Sequence, residues 1–260
     1  MNVNLQSSAE WAGTIGAMAG AGTAIATTPA VQEGTYPEPG TYTMTLGAPA
    51  AGSATLTISV ATVNPDGSAG TPLTYTNTVT AGTTYTDWEG SGLNFTTATG
   101  ANFAAGAQTV TLGGFSTNYV SATQNPTTTS NYASSVTAYD SLGQEHVVTV
   151  YFRKDSEDPV SQNSTWQWMA HLDAADSATG TNTLAGWGEM VFNNNGALVT
   201  GGEAITVPFN FSQGASPGQL IDFVFGPDSG GGTTTQYPIA STTNFQTQDG
   251  YPPGVLQSVT

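Results

Sequence analysis

Residues 132–152 read Tyr132-Ala-Ser-Ser-Val-Thr-Ala-Tyr-Asp-Ser-Leu-Gly-Gln-Glu-His-Val-Val-Thr-Val-Tyr-Phe152. Two β-rich runs flank Asp140-Ser141-Leu142-Gly143. An aspartate accepts a hydrogen bond from the backbone two residues on, and a glycine takes the positive φ that closes a tight loop. On the second run Val148, Val150 and Phe152 share one face, and Val147, Thr149 and Tyr151 share the other. This pattern predicts a β-hairpin turning at Asp140–Gly143.

Composition extends that reading to the whole chain. Of 260 residues, 44 are Thr and 32 are Gly. Thr fits a pleated surface and Gly fits turns, so the composition indicates an all-β protein with many tight connections. The aromatic residues (5 Trp, 10 Tyr, 10 Phe) supply enough bulk for a packed core and exclude a disordered chain. The length accommodates one large β domain or two ordinary ones.

The formal net charge of −16 comes from missing cations: 18 acids stand against two bases, Arg153 and Lys154. A halophile's surface carries many more carboxylates. Nucleic acid and anionic membrane surfaces are excluded as partners, since both need Lys and Arg. With no cysteine, neither disulfides nor thiolate chemistry operate. The small-residue run 11–26 lacks a basic leader and is too short to span a bilayer, so it reads as a loop or packed strand.

Further strands precede the hairpin. Tyr42, Met44 and Leu46 alternate with threonines, as do Leu56, Ile58 and Val60. A turn at Asn64-Pro65-Asp66-Gly67 follows, then Leu73–Thr80, a turn at Ala81-Gly82, Tyr85–Trp88 and Thr109–Leu112. Strands at this spacing predict a small sandwich or barrel. The polar stretch Ser121–Ser130 is the expected boundary.

The segments after the hairpin carry a resemblance. Trp166-Gln167-Trp168 is followed by Phe192-Asn-Asn-Asn-Gly-Ala-Leu198, Leu220-Ile-Asp-Phe223, Thr235-Gln-Tyr237 and Gln248-Asp-Gly-Tyr251, with Gly254 and Leu256 close behind. Together with the Tyr139-Asp-Ser-Leu-Gly143 turn and the Val150-Tyr-Phe152 strand, this ordered series resembles the bacterial flagellar hook protein. Asn2-Val3-Asn4-Leu5 is similar to the strand that leads into that region. The resemblance covers 119–260 and the first few residues. It does not extend to 11–118, and the family's terminal helices have no counterpart, so the chain reads as the middle piece of a longer polypeptide.

The expected architecture is therefore all-β, with two sandwich- or barrel-like domains, one inserted ahead of the other. Residues 1–10 form a leading strand, 11–118 an inserted outer β domain, and 119–260 the hook-family β domain. The resemblance implies a structural subunit of a flexible tubular joint that transmits torque from motor to filament. It also implies an extracellular location, export through the flagellum's own channel without a cleaved signal peptide, and self-assembly with other copies. Assembly would use terminal regions absent here, leaving this chain monomeric or only weakly self-associating. The competing reading is a secreted β-rich adhesin or glycan-binding module.

No catalytic, cofactor-binding or metal site is expected. His146 and His171 are the only histidines, too few for zinc without cysteine. His146 is expected on the rim of its hairpin strand. Asp155, Glu157 and Asp158 lack the spacing of a calcium loop and read as a solvated loop before Pro159. Asp173 and Asp176 could pair for glycosidic chemistry but read better as part of a polar loop. Asp140, Ser141 and His146 fall within seven residues, yet Asp140 already has a role in its own turn. Trp166 and Trp168 share one strand face, where core packing is expected over sugar stacking. Neutral Thr, Ser, Asn and Gly surfaces would let neighbouring subunits slide, whereas ion pairs, each worth roughly 0–1 kcal/mol when exposed, would favour set positions. Repulsion between like-charged copies is screened beyond about 8 Å.

Overall fold

A computed structural model describes residues 1–114, 125–227 and 232–250. The chain divides into two compact units. One contains Met1–Ala9, Tyr132–Arg153 and Asp158–Thr260, and the other contains Glu10–Asn131 and Lys154–Glu157. Of the expected boundary, Ser121–Gln124 lie outside the described residues. Asn125 caps a single helical turn, Pro126–Thr129, by accepting from the Thr127 amide.

The first strand, β1 (Asn2–Gln6), belongs to the unit containing the hairpin. The other unit follows with β2 (Thr14–Ile15), β3 (Ala30–Val31), β4 (Gly40–Leu46), β5 (Ser53–Thr62), β6 (Leu73–Thr80), β7 (Thr84–Tyr85), β8 (Leu93–Thr96) and β9 (Gly106–Gly113). These strands form a five-stranded sheet ordered β2-β9-β4-β5-β6 and a three-stranded sheet ordered β3-β8-β7. In β5 the burial alternates almost without exception, with Leu56, Ile58 and Val60 inward and Thr55, Thr57 and Ser59 outward. That period of two is what a half-buried strand requires. The inward residues join Tyr42, Met44, Val110 and Trp88 in one core. The run 11–26 contributes β2 and bridges Ala19 to Thr109 and Ile25 to Thr97, so it is partly packed strand. At the Asn64–Gly67 turn, Gly67 has φ 82° and Asp66 accepts from the Ser68 amide.

The chain then forms β10 (Tyr132–Tyr139), β11 (Glu145–Glu157), β12 (Ser164–Leu172), β13 (Thr183–Phe192) and β14 (Leu198–Thr200), neighbours in that order in one sheet. β15 (Ile205–Phe209) and β16 (Gln219–Phe223) form a separate hairpin. β17 (Thr235–Tyr237) and β18 (Thr242–Phe245) flank β1, parallel and antiparallel respectively. The expected turn at Asp140–Gly143 is present: β10 pairs with β11 from Tyr132↔Phe152 to Tyr139↔Glu145, and Gly143 has φ 80°.

Glycine shapes this core as much as bulk does. A Cβ on Gly188 would lie 2.8 Å from Trp168 Nε1, and one on Gly186 would lie 2.7 Å from Val207. These two β13 glycines make room for the Trp168 ring and for Val207. Trp168 then stacks on Phe223 at 5.4 Å and meets Phe225 at 5.1 Å between ring centres. Trp166, Phe152, Phe192 and Phe209 complete a core with no solvent exposure.

Candidate functional site

The hairpin turn leads into a buried polar cluster. Asp140 Oδ1 accepts from the amides of Leu142 and Gln144, each at 2.8 Å. Its other oxygen, Oδ2, lies 3.2 Å from His146 Nε2. The opposite ring nitrogen, His146 Nδ1, lies 3.0 Å from Asp176 Oδ1, and the imidazole stacks on Phe211 at 4.4 Å. The side chains of His146 and Asp140 have no solvent exposure. His146 is therefore not on the rim of the strand. From 146 to 152 the even-numbered residues of β11 face the core, and His146 opens that series ahead of Val148, Val150 and Phe152.

Burial pushes the Asp140 carboxyl up. Hydrogen bonds from the Gln144 amide, the His146 ring and the Leu142 amide outweigh it and hold the group below the ordinary carboxylate value. Ser141 Oγ is not part of this cluster and accepts from the Ser216 amide at 2.8 Å. An imidazole enclosed by two carboxylates and a phenyl ring has no face left for a substrate. This arrangement ties the hairpin turn to the loop carrying Asp176.

Asp173 and Asp176 do not work as a pair. The Asp173 backbone carbonyl accepts from the Asp176 and Ser177 amides, closing one turn. Its carboxylate lies 3.7 Å from His171 Nδ1, while Asp176 faces His146. His171 is buried on β12 with its ring edge toward Tyr151. Burial lowers its pKa, and the nearby Asp173 partly offsets this.

The expected solvated loop at 155–158 is shorter than the sequence suggested. β11 continues through Glu157, and Asp155 is buried. Only Asp158 opens a turn, where its carboxylate accepts from the Val160 and Ser161 amides. Those backbone bonds hold Asp158 below its ordinary value. The two bases just before it are buried: Arg153 Nη1 reaches Gln167 Oε1 at 3.4 Å, and Lys154 Nζ pairs with Glu157 at 2.6 Å and lies over the Tyr36 ring. Among the described residues no three His, Asp or Glu side chains converge as a metal ion requires. Trp166 and Trp168 are wholly buried, and Trp88 nearly so. Trp11 donates from its ring to the Pro37 carbonyl.

A concavity of about 520 Å³ is lined by β10 and β16. Its walls include Val136–Tyr139, Val148 and Gln219–Val224, with Gln246–Gly250 along one side. Nothing in the sequence marked it.

Comparison with known proteins bears on residues 114–251, which match the family model for the flagellar basal body protein FlaE D2 domain. Among solved structures, the chain is similar to a 32 kDa fragment of the flagellar hook protein FlgE from Caulobacter crescentus. That similarity has 15% identity, covers 94% of this chain and 96% of that one, and has a TM-score of 0.37. No curated protein matches. With 138 of its 260 residues inside the family model, the chain belongs to the flagellar hook proteins, the structural subunits of the bacterial hook.

Proposed function

We propose that this chain is the outer β-structured part of a hook subunit and that its work is mechanical, with no reaction catalysed. Hook proteins polymerise into a hook of identical copies at the flagellum, outside the cell. The family match carries this reading, and the fate of the polar residues supports it. Asp140, His146 and Asp176 are used in holding a turn to a loop, and Ser141 has a backbone partner.

Polymerisation rests on terminal regions of the longer polypeptide, so this chain alone is monomeric. It leaves the cell through the flagellar channel without a cleaved leader. Residues 11–118 form the outermost layer, where uncharged Thr-rich sheet faces let neighbours slide. Sedimentation velocity of the 260-residue chain tests the first of these points. A single monomeric boundary is expected, and a discrete polymer formed by this chain alone would overturn the assignment of assembly to the termini.

A further inference from the structure

The cleft between β10 and β16 has two features that its role in packing does not use. Among the described residues, each bordering strand pairs with another strand on one side only, β10 with β11 and β16 with β15. Along the outer edge of β10, two carbonyls are taken by side chains: Ser135 O accepts from Gln246 Nε2 at 3.0 Å, and Tyr139 O from Gln219 Nε2 at 2.7 Å. Strand period places Thr137, midway between them, on that same edge. Its amide and carbonyl open onto the cleft. Gln219 Oε1 is buried there without a hydrogen-bond partner. An unsatisfied buried acceptor is uncommon and costly.

The Thr137 backbone donor and acceptor thus lie midway along about 13 Å of strand edge between the two capped carbonyls, with the Gln219 acceptor buried at one end. Val136, Val148 and Ile221 supply apolar wall. Leu220, 67% exposed, borders the opening. Asp222 and Asp249 also line it. The only Lys and Arg of this chain are buried, so a second copy has no exposed base to offer these carboxylates.

We propose that this cleft is a strand-addition site for an extended segment of a different polypeptide, with Lys or Arg flanking its pairing residues. Main-chain bonds to Thr137 and Gln219 would give affinity, and the carboxylates would select the basic flanks.

The test uses the intact 260-residue chain and two capped peptides, Lys-Val-Thr-Val-Lys and Glu-Val-Thr-Val-Glu, followed by amide NMR. The basic peptide is expected to shift amides in 136–139 and 219–223 saturably and to slow exchange of the Thr137 amide. The acidic peptide should bind at least about tenfold more weakly. Thr137→Pro removes the amide on an edge, where proline is tolerated. It should weaken the basic peptide about tenfold while leaving the melting temperature in place. Gln219→Leu, which removes the stranded acceptor together with the Nε2 donor to the Tyr139 carbonyl, should weaken it too. Binding that salt abolishes but both variants retain would be general attraction to an anionic surface, and would overturn the proposal. So would equal binding of the two peptides, no shift up to about 1 mM, or concentration-dependent self-shifts of the same amides, which would identify a second copy as the occupant.

Discussion

Replacing Asp140 by alanine removes three hydrogen bonds at once, and their settings differ. The Leu142 and Gln144 amides sit in a turn whose Leu142 side chain is 55% exposed, so water can reach them. Each lost bond there costs about 1 kcal/mol. The His146 ring has no exposure, and the nitrogen facing Asp140 is left without a partner, at about 1–3 kcal/mol more. The expected loss is about 3–5 kcal/mol. Asp140→Asn separates the contributions. It keeps an acceptor for both amides, but its N–H faces His146 Nε2, which donates to Asp140 in the parent and can accept only once the ring proton has shifted to Nδ1 toward Asp176. That variant should lose only about 1 kcal/mol.

Urea unfolding followed by tryptophan emission measures both variants. Trp166, Trp168 and Trp187 lie in the unit containing Asp140, while Trp11 and Trp88 lie in the other. A background of Trp11→Phe with Trp88→Phe therefore reports the relevant unit alone. Acid adds a second axis. The Asp140 carboxyl is held below its ordinary value in the fold, so its contribution is fully present above about pH 3.9 and is lost as pH falls through the folded value. The gap between the parent and Asp140→Ala should be constant near neutrality and narrow in strong acid. An alanine variant within about 1 kcal/mol of the parent, or an asparagine variant as costly as alanine, would refute the clamp.

Trypsin should leave the folded chain intact, because its only sites, Arg153 and Lys154, are buried; cleavage should appear in step with unfolding, and early cuts in native buffer would contradict that burial. Burial lowers the His171 pKa more than Asp173 raises it, so its share of stability is full above about pH 6.5 and declines below it. His171→Gln should flatten that part of the pH–stability curve measured by urea midpoints, and an unchanged slope would count against it. Gly196→Ala forces a side chain at φ 77° with its Cβ 2.0 Å from Gln236 O, whereas Gly180→Ala at φ 67° meets nothing within 4 Å. Thermal unfolding should show a loss of about 1–2 kcal/mol for Gly180→Ala and several kcal/mol for Gly196→Ala, the excess measuring the clash.

Local patterns exposed much of this fold in the sequence, and long-range meetings did not. The Asp140–Gly143 turn and the alternation in β5 depend on residues a few positions apart, where period and turn chemistry suffice. The nearness of Asp140 and His146 was implicit in the hairpin register, since Ala138 pairs with His146. Asp176 was not, because it approaches from a loop 30 residues further on. A histidine on a strand reads as polar and is assigned outward unless its partners are visible. The same bias led to a solvated loop at 155–158. Charged residues before a proline look exposed, yet Lys154 finds Glu157 and Tyr36 and remains buried. The cleft was invisible for another reason: a missing strand leaves no motif.

The burial of Arg153 and Lys154 sharpens what composition alone could say. A chain with two bases could still place both on its surface and form specific ion pairs with a neighbour. Here one reaches Gln167 and the other is held by Glu157, so the outer surface presents carboxylates without any lysine or arginine. Side-chain ion pairs between the Lys or Arg of one copy of this segment and the acids of another are thereby removed. Lateral contacts between such segments must rest on hydroxyls, amides, backbone edges and apolar side chains such as Leu220, whose interactions are short-ranged and tolerate displacement. Carboxylate repulsion, screened beyond about 8 Å, would oppose the tightening of any such contact. In a hook that bends as it turns, neighbours related by changing offsets would meet the same shallow energy at each offset. Introducing one exposed base tests that logic. Thr76→Lys on β6, where Thr76 is exposed, should leave the melting temperature of the chain within about 1 °C. In assembled hooks it should stiffen bending fluctuations measured by light microscopy, and unchanged flexibility would show that neutrality of this face has no mechanical role.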